Sequence, residues 1–255
     1  MENKSGMLMA ERRGAVLLIT LNRSDKRNAL HPDLIAALNE TLAATATDAS
    51  LNVVVLTGAG SAFCAGLDLE HILTAPPEQK AARLESVLEI FRRLWTLPQP
   101  VIAAINGPAI AGGFDLAQFC DLRLCAPTAV FGQAEINLGL TQIMFPLYKI
   151  IGLSRAKELA MTGEVISAAE AYRIGLINHI YPADELIGEA LRLAETLAAK
   201  PRAALFETKR LSRELIEMDT EAAFRRMNAA IQERLRSDEH QQTLNEYLAR
   251  LKQRT

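Results

Sequence analysis

Two segments of this chain share one order of parts: a short apolar run of β-forming residues, a glycine-containing turn, and sequence fit for a helix. Val53–Leu56 leads into Phe63-Cys64-Ala65-Gly66-Leu67-Asp68-Leu69. Val101–Ile105 leads into Asn106-Gly107-Pro108-Ala109-Ile110-Ala111-Gly112-Gly113-Phe114-Asp115-Leu116. A strand that turns sharply into a helix leaves the first N–H groups of that helix without acceptors, free to face an anion. Two such turns allow two donors to converge on one oxygen, the arrangement that stabilises a developing oxyanion.

The surrounding pattern alternates. Ala15–Leu21 reads as a strand. Pro32–Thr45 reads as a helix, with Pro32 at its first position and Leu34, Ile35, Leu38 and Leu42 on one face. Val53–Leu56 reads as a buried strand. A long helix is expected over Glu78–Leu97, with Leu84, Val87, Leu88, Phe91 and Leu94 on one side. Val101–Ile105, Gly113–Phe119 and Leu122–Cys125 follow as strand, short helix and strand. Repeated strand–helix–strand crossovers imply a largely parallel sheet, and so an α/β fold. After Leu140 helices dominate: Phe145–Ile151, Ser154–Met161, Ala168–Ile174, Glu185–Ala199, Arg202–Ile216, Thr220–Leu235 and Asp238–Leu251, with Leu176–Tyr181 as one last strand. Ser154 and Ser167 read as N-caps, the second completing a capping box with Glu170.

At 255 residues, with 49% hydrophobic and 23% charged residues, the chain has the composition of an ordinary soluble protein and enough length for one large α/β domain or two small ones. The net charge of −2 gives no global basic field, which argues against nucleic acid but leaves room for a local basic patch serving an anionic small molecule. Cys64, Cys120 and Cys125 form no CxxC pair and, as an odd set of thiols, fit a reducing cytoplasm. His31, His71, His179 and His240 lack ligand spacing, so no metal is expected. Ala15–Leu21 is too short to span a bilayer, so no membrane partner is expected.

Two other motifs are weak. Leu56-Thr57-Gly58-Ala59-Gly60-Ser61 begins like a dinucleotide fingerprint, but Phe63 stands at the third glycine position. Gly152-Leu153-Ser154-Arg155-Ala156 lacks the final glycine of a nucleophile elbow.

The segments FCAGLDL, AINGPAIAGGFDLAQFCDLRLCA and FGQAEINLGL, in this order and at these separations, resemble the crotonase family, the enoyl-CoA hydratases and isomerases. The resemblance runs from about Gly14 to the chain end and is sharpest between Asn52 and Leu140. It implies a repeated ββα spiral core with a helical C-terminal region that builds trimers, often paired into hexamers. Accordingly, residues 1–195 are expected to form the acyl-CoA-binding catalytic core and 196–255 the oligomerisation region of a homotrimer or homohexamer. CoA would enter as part of the thioester substrate, with no separate cofactor.

The resemblance also implies roles. The backbone N–H groups of Leu67 and Gly112 would hold the thioester oxygen. Glu135 and Asp115 stand where the hydratases carry two glutamates that divide acid and base work. Asp115 is one methylene shorter, resembling the dienoyl-CoA isomerase branch, but Ile143 stands where that branch has a further acid. The stretch Leu138–Leu147 is shorter and more apolar than in typical hydratases and is similar to the Δ3,Δ2-enoyl-CoA isomerases, which shuttle a proton on one glutamate matching Glu135. Hydration, placed first, and isomerisation therefore both stay open, and a non-catalytic acyl-CoA-binding oligomer, with both turns kept and the acids unproductive, is the alternative outside them. Met144 and Phe145 read as core residues that also floor an acyl pocket. Lys26 and Arg27 would meet the CoA phosphates, and the backbone at Ala29 and Ala65 the rest of the CoA, with Lys209 and Arg210 as weaker phosphate candidates.

Overall fold

The computed structural model describes residues 6–252. The β-branched, wholly apolar runs form the centre of a six-stranded sheet. β1 (Leu8–Arg13) and β2 (Val16–Leu21) make a hairpin, and α1 (Pro32–Thr47) crosses to β3 (Val53–Gly58). α2 (Leu69–Thr74) and α3 (Pro77–Thr96) lead to β4 (Val101–Ile105). β5 (Ala109–Ile110), α4 (Gly112–Gln118), β6 (Leu122–Cys125) and β7 (Val130–Gly132) follow. Then come α5 (Leu147–Ile151), α6 (Leu153–Thr162), β8 (Val165–Ser167), α7 (Ala168–Arg173) and β9 (His179–Ile180). The last helices are α8 (Leu186–Ala198), α9 (Arg202–Glu214), α10 (Thr220–Leu235) and α11 (Asp238–Lys252).

The main sheet has the order β1-β2-β3-β4-β6-β9. Only the β1–β2 pair is antiparallel; from β2 to β9 every pairing is parallel. Every residue of β3 and β4 is buried, as strands covered on both faces must be. α1 and α3 close one side through Leu34, Ile35, Leu38 and Leu42 and through Val87, Ile90, Phe91 and Leu94. β5, β7 and β8 form a second, three-stranded sheet.

Several expectations are corrected. The sequence does not mark β1, because Glu11, Arg12 and Arg13 interrupt its apolar pattern; it is an edge strand, where such charges discourage further pairing. β5, β7 and β8 span two or three residues each, too few to show a period. Ser154 lies inside α6, whose N-cap is Gly152 at φ +80. Ser167 does cap α7, accepting from the Glu170 N–H at 3.2 Å, but the Glu170 carboxylate turns to Arg173, so the box is half formed. The expected strand Leu176–Tyr181 shrinks to His179–Ile180. Leu84 and Leu88 are exposed, so the apolar face of α3 is longer than its buried part.

The chain divides into two compact units between Glu195 and Thr196. Within the second, Arg226 bridges Glu207 at 2.9 Å and Glu214 at 2.8 Å. Among the described residues, no helix is long and apolar enough to cross a membrane.

Candidate active site

The two glycine turns are stitched together by backbone. The Phe63 and Cys64 N–H groups both donate to the Pro108 carbonyl, and the Ile110 N–H returns a bond to the Cys64 carbonyl at 3.0 Å. Contact this close demands glycine. A Cβ on Gly113 would stand 2.0 Å from the Cys64 oxygen, and one on Gly66, itself at φ +85, would stand 3.1 Å from the Gly112 nitrogen. Between them Ala111 holds φ 54 and ψ −131, a conformation that L-residues avoid, so the turn stores backbone strain.

The outcome is a pair of adjacent unused donors. A Cβ placed on Gly112 would lie 4.0 Å from the Leu67 nitrogen. Gly112 opens α4, so its N–H has no partner within the helix. Among the described residues, neither the Leu67 nor the Gly112 N–H donates a hydrogen bond.

Asp115 follows Gly112 by three positions on α4, which puts both on one face. It is 2% exposed, and its Oδ1 accepts from Gln118 Nε2 at 3.1 Å and from Gln133 Nε2 at 3.2 Å. Burial first, and the Glu135 carboxylate second, push the Asp115 carboxyl well above its ordinary range, against the pull of the two amides. Glu135 sits on the 3₁₀ turn Ala134–Leu138, directly after β7. β7 is tied to the turn that opens α4 by the Ala111 N–H to the Gly132 carbonyl at 2.8 Å. Glu135 is also raised, mainly by burial, while its own N–H and the Gln142 amide pull it down. Its Oε2 is buried and has no partner.

Asp115, Glu135, Leu67 and Gly112 line one cavity of about 370 Å³ together with Leu84, Val87, Leu88, Phe91, Leu140, Thr141 and Ile143. Met144 and Phe145 do not line it. Phe145 packs instead in an aromatic cluster with Trp95, Phe119 and Tyr148, which corrects their expected place on its floor. A second hollow, of about 320 Å³ between α1 and α3, is lined by Arg83 and Asn39 among others but by no carboxylate.

The loop after β2 lies against the first turn. Arg23 bonds the Asp68 carboxylate at 2.6 Å, and buried Asn28 donates to the Ala59 and Ala62 carbonyls. This brings Lys26, Arg27 and Ala29 beside Ala65, whose N–H donates to the Arg27 carbonyl at 3.0 Å. The Ala65 N–H is therefore spent, and so is the backbone of Ala29, whose N–H donates to the Lys26 carbonyl and whose carbonyl accepts from the His31 N–H and from Arg23, which corrects the expectation that it is open to CoA. Lys26 pairs with Glu70 at 3.0 Å, and both side chains are substantially exposed. Lys209 is buried, and Arg210 pairs with Glu207 and Glu214, so neither presents the open cation expected of a phosphate site.

Arg23, Asn28, Gln118, Gln133 and Gln142 carry site architecture that the sequence reading did not assign. Gln118 stands three residues after Asp115 and Gln133 two before Glu135, spacings that could have singled them out. Gln142 lies in a stretch read as apolar and gives no such signal.

A family model described as "Enoyl-CoA hydratase/isomerase" matches residues 11–254. The short-chain-enoyl-CoA hydratase of Clostridium acetobutylicum is 34% identical over 225 residues, 85% of each chain. Crotonyl-CoA hydratase of Syntrophomonas wolfei is 32% identical over 222 residues, again 85% of each. Among solved structures, an enoyl-CoA hydratase from Bacillus anthracis superposes with a TM-score of 0.93 at 31% identity, over 96% of both chains.

Proposed function

The chain belongs to the enoyl-CoA hydratase/isomerase family and is an acyl-CoA enzyme, and from that premise we propose that it adds water across the double bond of a 2-enoyl-CoA thioester. The observation that carries this reading is the pair of unused N–H groups at Leu67 and Gly112 in the same apolar cavity as two carboxyl groups. The thioester oxygen accepts from both amides as negative charge moves onto it. One such donor is worth about 2.7–4 kcal/mol in the transition state.

Their environments divide the work between the acids. Glu135, the less buried, ionises first, and its unpartnered Oε2 takes a proton from water as the oxygen attacks C3. Asp115, held protonated by burial and by the Glu135 charge, gives a proton to C2 as the enolate collapses. The proton on Glu135 then returns to Asp115 through solvent, which resets the pair. The two relatives above, both named hydratases, support water addition over double-bond migration. Lys26 and Arg27, both on the exposed loop beside Ala65, form the entry side for CoA, which arrives on the substrate. The half-exposed apolar side chains of the C-terminal helices, Phe224, Ile231, Tyr247 and Leu248 among them, support assembly into a homotrimer or homohexamer.

The test runs a 2-enoyl-CoA and a 3-enoyl-CoA side by side and follows the ultraviolet band of the conjugated thioester. Loss of the band from the 2-enoyl substrate is expected. Its appearance from the 3-enoyl substrate, without loss from the other, would replace hydration by isomerisation on Glu135.

A further inference from the structure

Helix α3 carries more apolar surface than the core uses. Phe91 and Val87 are each 2% exposed, whereas Leu88 and Leu84 are 43% and 47% exposed. All four line the cavity that holds Asp115 and Glu135, so the stripe runs from a closed end to an open mouth. From Phe91 to Leu84 it covers roughly 10 Å of helix. The remaining lining adds Leu67, Ile143 and Leu140, the last 52% exposed. Among the described residues no lysine or arginine lines the cavity, so an acyl group ending in a carboxylate would meet two acidic side chains there.

A tail attached to a carbonyl held at Leu67 and Gly112 has to lie along this lining. We infer that the α3 stripe seats a neutral hydrocarbon tail of medium length, and that Leu84 and Leu88 set a preference for such chains over short ones. At roughly 1.2 Å per bond, an extended chain of about eight carbons spans the stripe. The inference rests on the acyl-thioester reading of the site. Full burial of a methylene corresponds to about a fourfold gain in affinity, and a tail lying on half-exposed leucines gains about two- to threefold for each. From four to eight carbons this compounds to about 20- to 80-fold.

Butyryl-CoA and octanoyl-CoA have no double bond to hydrate, so calorimetric titration with each tests the tail separately from the chemistry. Octanoyl-CoA is expected to bind about 20- to 80-fold more tightly. Equal affinities, or tighter binding of butyryl-CoA, would overturn the inference. Leu84→Ser and Leu88→Ser should each cut the octanoyl-to-butyryl ratio by about three- to tenfold, while Leu84→Met and Leu88→Met restore it. Both leucines are half-exposed, so the serine variants leave the core intact, and unchanged melting checks this. A ratio unmoved in both serine variants would remove the assignment to α3. Turnover of 2-butenoyl-CoA and 2-octenoyl-CoA is measured in parallel. Tail preference without hydration would sink the hydratase reading alone, and binding of neither acyl-CoA would sink both.

Discussion

Asp115 and Glu135 share a cavity but differ in their hydrogen bonds, so exchanging each for its amide separates their roles. Glu135→Gln removes the proton acceptor with little change of shape and should lower kcat about 1,000-fold, within the usual range for a general base. Asp115→Asn keeps an acceptor for Gln118 and Gln133 but loses the transferable proton, and should cost about 100-fold. Steady-state rates of purified variants decide this; full activity in both would remove the site assignment. Asp115 also weighs on stability. Below its ordinary value of 3.8 the carboxyl is protonated in folded and unfolded chains alike. As pH rises through that value the unfolded chain ionises while the folded one holds its proton, so stability falls until the raised folded value is passed. Asp115→Asn should therefore melt about 2–4 °C higher than the parent at pH 8, with the difference shrinking toward pH 4. Equal melting at both pH values would contradict the cost of burying Asp115. That these two acids meet in one cavity was legible from the motifs that carry them. Of the amides beside them, Gln118 and Gln133 carry a signal only in their spacing from the acids, and Gln142 carries none, since a buried glutamine and a solvated one look alike in sequence.

At the scale of elements, the site depends on how closely two turns approach. Gly113→Ala would drive a methyl into the Cys64 carbonyl, a backbone atom that cannot move without parting the turns. A loss of about 3 kcal/mol or more is expected, together with most of the activity. Gly139, at φ +74 with nothing within 4 Å of a new Cβ, makes the contrast: its alanine variant should lose only about 1–2 kcal/mol of backbone preference. Denaturant melts of the two variants compare the effects, and similar losses would show that turn contact is not what glycine serves at position 113. The long apolar runs, β3 and β4, were legible because burial on both faces leaves a continuous signal. The second sheet was not, because strands as short as Ala109–Ile110 are fixed by their neighbours, here β7, rather than by a period of their own. α3 shows a further limit: its apolar spacing marks one face correctly but cannot separate the residues that fill the core from those that line the cavity.

At the scale of the molecule, the second unit is short of interior. Of its described residues only Lys209 and Ala230 are buried, while Phe224, Ile231 and Tyr247 are each more than half exposed, at 62%, 57% and 58%. Helices stabilised mainly by an amphipathic face need something to cover it. Light scattering at micromolar concentration should give a mass that is a multiple of the 27.9 kDa chain, and Phe224→Asp with Ile231→Asp should lower it. A monomeric parent would end the trimer reading. The parallel pairing of β3 with β4 has another effect. Leu67 and Gly112 belong to turns that follow the neighbouring strands β3 and β4, which pair in the register Val54↔Val101 to Thr57↔Ala104. Those partners are far apart in sequence, so bringing them together carries the loop-closure cost of a non-local contact. The two unused N–H groups therefore come side by side only where β3 and β4 are paired, so neither turn presents the pair by itself.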